Sequence, residues 1–180
     1  MDDALDGQAL KEEGLRLFRE GLYDEAVERF EDAQKAFVEQ DNETEAAEML
    51  NNIGVIYRIQ HKWDQAIGAL EEAREIFVVQ GDRNREAQTL GNLGGLYASK
   101  REREKAQEHL ERAAEIFDEI GDLQRQGETL MALGVQHWKN GERNQGLTIY
   151  QRGLQTLEKP TVGQRSLRSL LDLRTRLLGG

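Results

Sequence analysis

One period, 40 residues, runs through most of the chain and limits what it can fold into. Gly14, Gly54, Gly94 and Gly134 recur at that interval, and four residues before each stands a leucine: Leu10, Leu50, Leu90 and Leu130. Twelve residues after each glycine come Ala26, Ala66, Ala106 and Gly146, and seven further on Ala33, Ala73, Ala113 and Gly153. Phe37, Phe77, Phe117 and Leu157 keep the same step. Several columns sharing one period define a tandem array, whose units bury their apolar faces only against neighbours.

Within each unit the spacing is helical. Leu50, Ile53, Gly54 and Tyr57 sit at i, i+3, i+4 and i+7, while Ala66, Leu70, Ala73 and Phe77 step by 4, 3 and 4. Each repeat therefore reads as two amphipathic helices. The pairs break at Gly21-Leu22, His61-Lys62, Lys100-Arg101 and Asn140-Gly141, and the repeats at Gln40-Asp41-Asn42, Gly81-Asp82 and Gly121-Asp122. Glycine there suits a helix stop, and Asp or Asn the next N-cap. The small columns set the distance between paired helices, which predicts Gly14, Gly54 and Gly94 facing the partner helix near Ala26, Ala66 and Ala106. The fourth repeat replaces both alanines by Gly146 and Gly153 and the aromatic by His137, which predicts a looser second helix.

These letters resemble the tetratricopeptide repeats. Leu50, Gly54, Tyr57, Ala66, Leu70 and Ala73 fall on that family's signature, and Leu90, Gly94, Tyr97, Ala106, Leu110 and Ala113 repeat it. The 40-residue period looks like the variety in Leu-Gly-Asn cell-polarity adaptors and bacterial sensor proteins; the family's proline near the end of each repeat is missing. The resemblance implies an all-α, right-handed α-solenoid of four antiparallel helix pairs, residues 3–160, divided at about 3–41, 42–81, 82–121 and 122–160. A capping helix over 161–178 follows, because Leu170, Leu173 and Leu177 continue the register of a first helix. That cap carries Arg165, Arg168, Arg174 and Arg176 against Asp172, and Arg174 stands in the glycine column.

Composition narrows the function classes. The 180 residues carry 24 Lys and Arg against 34 Asp and Glu, a net charge of -10, which argues against nucleic acid as partner. A contact of the basic cap with anionic lipid or nucleic acid is opposed by the -13 that the rest of the chain then bears. With no cysteine there is no disulfide framework, thiol nucleophile or thiolate-held zinc. Met1-Asp2-Asp3 opens no secretory signal, and Ile76-Phe77-Val78-Val79 is far too short to span a membrane, so membrane insertion is not expected and a cytoplasmic location is. His61, His109 and His137 lie in different repeats without metal-binding spacing, and paired acids such as Glu12-Glu13 and Glu71-Glu72 read as solvated faces. The expectation is a non-catalytic chain without metal or cofactor. His61 reads as a turn residue, His109 as an exposed shoulder and His137 as a satisfied core histidine.

In the family the first helix of each pair lines a concave groove. The resemblance places Lys11 and Arg19 of the first repeat there, with Asn51, Asn52, Val55 and Arg58 of the second. The third repeat adds Gln88, Gly91, Asn92, Gly95 and Ser99, and the fourth Met131 and Trp138. Asn52 and Asn92, one period apart and joined by Asn51, either hold the backbone of an extended segment or stand as ordinary exposed amides. Gly91 and Gly95 either leave room for a partner's bulky side chain or mark a soft spot. Trp138 and Met131 offer an apolar anchor, although Trp138 also fits beneath the cap, and Trp63 packs locally. The family's clamp for a terminal carboxylate is absent, since Gln88 and Asn92 occupy its third-repeat places. Arg58, Lys11 and Arg19 remain to meet acidic residues on a bound segment. The expected function is an adaptor or scaffold holding a peptide or helical segment of a partner protein, in complex assembly or regulation. The alternatives are a peptide-sensing module acting on a separate effector, and self-association into a homo-oligomer.

Overall fold

The computed structural model describes residues 6–178, and side chains as far as Leu173. Within them the fold is all-α: α1 (Gly7–Glu20), α2 (Tyr23–Glu39), α3 (Glu43–Ile59), α4 (Trp63–Gln80), α5 (Arg83–Lys100), α6 (Arg103–Glu119), α7 (Leu123–Lys139), α8 (Arg143–Thr156) and α9 (Val162–Leu178). Met1-Asp2-Asp3 and the side chains of Arg174, Arg176 and Leu177 lie outside the described residues.

The helices stop at a regular beat. Positive φ occurs at Gly21, Asp41, His61, Gly81, Arg101, Gly121 and Gly141, one left-handed residue every 20 positions. At each such point the next amide folds back on the closing turn: Asn42 N donates to the Phe37 carbonyl at 2.8 Å and Asp82 N to the Phe77 carbonyl at 2.9 Å. The starts alternate. First helices begin with side-chain caps, Asn42 accepting from Glu45 N, Asp82 from Arg85 N and Asp122 from Arg125 N. Second helices, after Leu22, Lys62, Glu102 and Glu142, have none.

The chain forms two compact units, meeting in sequence at Leu96 and Tyr97 within α5. In the first, Leu10, Leu17, Phe30, Phe37, Met49, Ile53 and Ile56 make one buried cluster. Leu50, Ala73 and Phe77 belong to another, with Ala47. The column glycines meet side chains here: a Cβ on Gly14 would stand 2.7 Å from the Phe30 ring, and one on Gly54 would stand 2.6 Å from Leu70 Cγ and 3.3 Å from the Ala66 carbonyl oxygen.

In the second unit Leu110, Ala113, Ile116, Phe117, Leu130, Leu133 and Leu154 are buried. The pair α7 and α8 corrects an expectation. A Cβ on Gly134 would lie 2.7 Å from both the Gly146 carbonyl oxygen and the Tyr150 amide nitrogen, and one on Gly146 2.6 Å from the Gly134 carbonyl oxygen. Gly127 and Gly153 repeat the arrangement at 2.8 and 2.7 Å. Replacing alanine by glycine in these columns does not loosen α8. With no Cβ on either side, the two backbones close directly on each other.

Helix α9 is tied to α8 by Gln151 and Gln155, whose Nε2 atoms donate to Asp172 Oδ1 at 2.9 and 3.2 Å. Its Leu170 and Leu173 are exposed. Trp138 is 51% exposed, with the Arg143 guanidinium 5.9 Å from its ring, so it does not lie buried under a cap.

Candidate functional site

On the first unit, α1, α3 and α5 share a polar seam. Lys11 Nζ of α1 pairs with Glu45 Oε2 at 2.8 Å and Glu48 Oε1 at 2.6 Å on α3. Arg85 of α5 reaches the same two carboxylates from the other side, at 2.9 Å and 2.7 Å, and also Asp82 at 2.9 Å. The seam thus alternates cation, carboxylate pair, cation across three helices. Burial pushes the Glu48 carboxyl up, but the hydrogen bonds and charges of Lys11 and Arg85 outweigh it and hold the group below its ordinary value. Burial likewise works against Lys11 and Arg85, and their carboxylate partners raise both.

One turn along, the amides join. Asn92 Nδ2 donates to Asn51 Oδ1 at 3.0 Å, and the fully buried Thr89 hydroxyl contacts the same oxygen at 3.2 Å while donating to the Arg85 carbonyl at 2.9 Å. Gln88 Nε2 donates to Asn84 Oδ1. Glu48, Asn51, Asn52, Arg85, Gln88 and Thr89 line a polar recess of about 440 Å³. Asn52 differs from its neighbours: half-buried in that wall, its amide has no hydrogen-bond partner among the described residues.

The two extra glycines separate. A Cβ on Gly95 would fall 2.5 Å from Arg58 Nη1, so the space that Gly95 opens is already filled by this chain's own guanidinium. Gly91, one turn earlier, has nothing within 4 Å of the point where a Cβ would stand, and it borders open space. There is thus free space beside Gly91 and none beside Gly95.

Of the residues expected on the groove, Asn51, Asn52 and Gln88 come together in the recess, with Asn92 bonded to its edge. Arg58, Gly91 and Gly95 stand on α3 and α5 of the same unit, as does half-buried Val55. Lys11 is paired with Glu45 and Glu48, while Arg19 is exposed. Ser99, Met131 and Trp138 belong to the second unit; Ser99 is exposed, and Met131 Cγ lies 2.9 Å from where a Gly153 Cβ would be. Sequence reasoning missed Glu45 and Arg85, which had a signal: they are one period apart with opposite charge.

In the second unit His137 is buried, its Nδ1 against Glu142 Oε2 and 3.0 Å from Gln107 Nε2. The His137 hydrogen bond, the largest influence on Glu142, holds that carboxyl below its ordinary value. His137 Nε2 is buried without a partner, so this core histidine is satisfied on one nitrogen only. His61 takes the left-handed turn position and meets Trp63 edge-on at 4.9 Å, and the half-buried His109 ring lies 5.1 Å from Tyr97. Among the described residues no group of three or more acids and histidines is placed to hold a metal, and no helix is long and apolar enough to cross a membrane.

Paired helices at a fixed period, with a polar face shared by the first helices of one unit, define a helical-repeat interaction protein. The tetratricopeptide repeat family model matches residues 7–77 and 45–119, more than half of the chain, and the chain belongs to that family. This fold is in general a non-catalytic module that binds peptides or proteins. No curated protein is matched by the sequence. Among solved structures, BtubC (BKLC) from P. vanneervenii is 26% identical with a TM-score of 0.75, over 83% of this chain and 62% of that one. Aspartyl phosphate phosphatase F from Bacillus subtilis is 15% identical with a TM-score of 0.86, over 95% of this chain and 45% of that one. A Rap protein complexed with competence and sporulation factor is 16% identical with a TM-score of 0.78, over 86% of this chain and 43% of that one. The chain thus spans less than two thirds of each of these proteins, and the last two show the fold alone.

Proposed function

We propose that the chain is a non-catalytic adaptor that holds an extended or helical segment of a partner protein on the α1, α3 and α5 face of its first unit. The carrying observation is the half-buried Asn52 amide, without a hydrogen-bond partner, in a recess whose other polar groups largely satisfy one another. Such an amide offers a donor and an acceptor at once, which suits the backbone of a segment whatever its side chains. Asn92 serves differently: its bond to Asn51 braces α5 against α3. The reading needs neither metal nor cofactor, goes with a cytoplasmic location, and is supported against nucleic acid by the net charge of -10. The Rap protein bound to competence and sporulation factor shares only the fold, so the reading rests on this chain's own residues.

The test is a random peptide selection on the full chain, followed by calorimetry of the selected peptides. Asn52→Ala is expected to weaken them by roughly five- to tenfold, the worth of one net hydrogen bond, without changing helicity. Peptides that bind wild type and Asn52→Ala equally would remove the recess from the proposal.

A further inference from the structure

The two cations of the first unit's seam are matched, and a half-buried arginine on the same helix as its carboxylates is not. Lys11 and Arg85 have their carboxylates. Arg58, near the end of α3, has none: it is half-buried, makes no hydrogen bond or ion pair among the described residues, and lies with Nη1 over Gly95. Burial lowers its pKa with no acidic neighbour to oppose the shift. Glycine at 95 is less favourable in a helix interior than alanine, and a half-buried guanidinium without an anion adds a desolvation cost. Both costs fall at one place, beside the open space at Gly91, one turn up the same side of α5. A planar fork with its donors unfilled, seated on one glycine and next to a vacancy at another, is shaped to receive a carboxylate in a bidentate pair.

We propose that Arg58 is the specificity residue of this face, and that the segment it accepts carries an aspartate or glutamate whose carboxylate enters the space over Gly91 and pairs with the guanidinium. The inference rests on the binding face proposed above. A side-chain carboxylate fits better than a chain terminus, because a terminus held by several cations would need Lys11 and Arg85, and both are occupied. The partner is then an acidic protein segment, recognised through one fixed acid rather than through general charge; the chain's own net charge of -10 opposes the latter.

The experiment uses the full chain and C-terminally amidated 12-residue peptides from a random library, so that no terminal carboxylate is present. Wild type is expected to select peptides with Asp or Glu at one fixed position, and replacing that acid by its amide should weaken binding at least tenfold. Arg58→Gln should lose the preference, Arg58→Glu should exchange it for Lys or Arg, and Arg58→Lys should restore part of it. Because Arg58 is unpaired in the free protein, Arg58→Gln should melt no lower than wild type. A merely structural arginine would show the reverse, a lower melting point with the preference intact, and that result overturns the proposal. Peptides that depend on Asn52 but show no acid preference overturn the Arg58 inference and leave the binding face standing. Selection that succeeds only with free C-terminal peptides moves the site to a terminal carboxylate and overturns it as stated, and selection that returns no Asn52-dependent peptide removes both readings.

Discussion

Helix pairs α1–α2 and α7–α8 use the same sequence columns and close on different material. In the first, Gly14 is a hole that the Phe30 ring fills. In the second, Gly134 and Gly146 lie face to face and each backbone is the other's nearest neighbour. A ring can tilt when its hole is narrowed, whereas a helix backbone can yield only by moving the whole helix. One glycine column therefore has two tolerances.

The largest expected effect follows from that contrast. Gly134→Ala and Gly146→Ala should each destabilise by about 3 kcal/mol, the upper end of overpacking costs, while Gly14→Ala should cost about 1 kcal/mol. Urea denaturation of the three variants decides it; equal losses would mean that the two pairs do not differ as described.

Next in size is the seam of the first unit. Glu48→Gln removes one carboxylate shared by Lys11 and Arg85 and should cost about 2 kcal/mol near neutral pH. The sign follows from the lowered pKa of Glu48: its contribution is complete above the ordinary glutamate value of about 4.5 and is lost as pH falls through the lower folded value. Unfolding of wild type and Glu48→Gln from pH 7 to pH 2.5 should converge at the acid end. A constant gap would contradict the assignment.

The smallest effects are stabilising and come from the repeat's own exceptions. Arg101 holds a left-handed φ of 63° at a place where Gly21, Gly81, Gly121 and Gly141 stand elsewhere, so Arg101→Gly should gain about 1 kcal/mol. Gly68, exposed in α4 with nothing within 4 Å, should gain roughly 0.5–1 kcal/mol as alanine. Thermal melts of these two variants report whether the helices obey ordinary propensity away from the packed columns.

Much of this was legible in the letters because a repeat shows each position several times. The helix pairs, the stops and the capping residues Asn42, Asp82 and Asp122 follow from spacing and from the chemistry of Gly, Asp and Asn. The fourth pair was misread because a missing methyl can leave a gap or remove an obstacle, and only the position of the facing backbone, set by Gly153 and Gly146 opposite Gly127 and Gly134, decides between them. On the proposed binding face the letters placed Asn51, Asn52 and Gln88 together. They did not say that Asn92 braces Asn51, that Lys11 is held by Glu45 and Glu48, or that Arg58 fills the place opened by Gly95. Those outcomes depend on which long side chain reaches which neighbour across 34 to 41 residues of sequence, a distance that composition and periodicity do not resolve.

The most direct test of the proposed binding face is a ¹⁵N NMR titration of the full chain with one of the library-selected acidic peptides. The account predicts that the Asn52 side-chain amide signals shift first, together with backbone amides from Gln88 to Gly95, while those of α7 and α8 stay in place. Shifts confined to residues beyond Tyr97, with Asn52 unmoved, would contradict it.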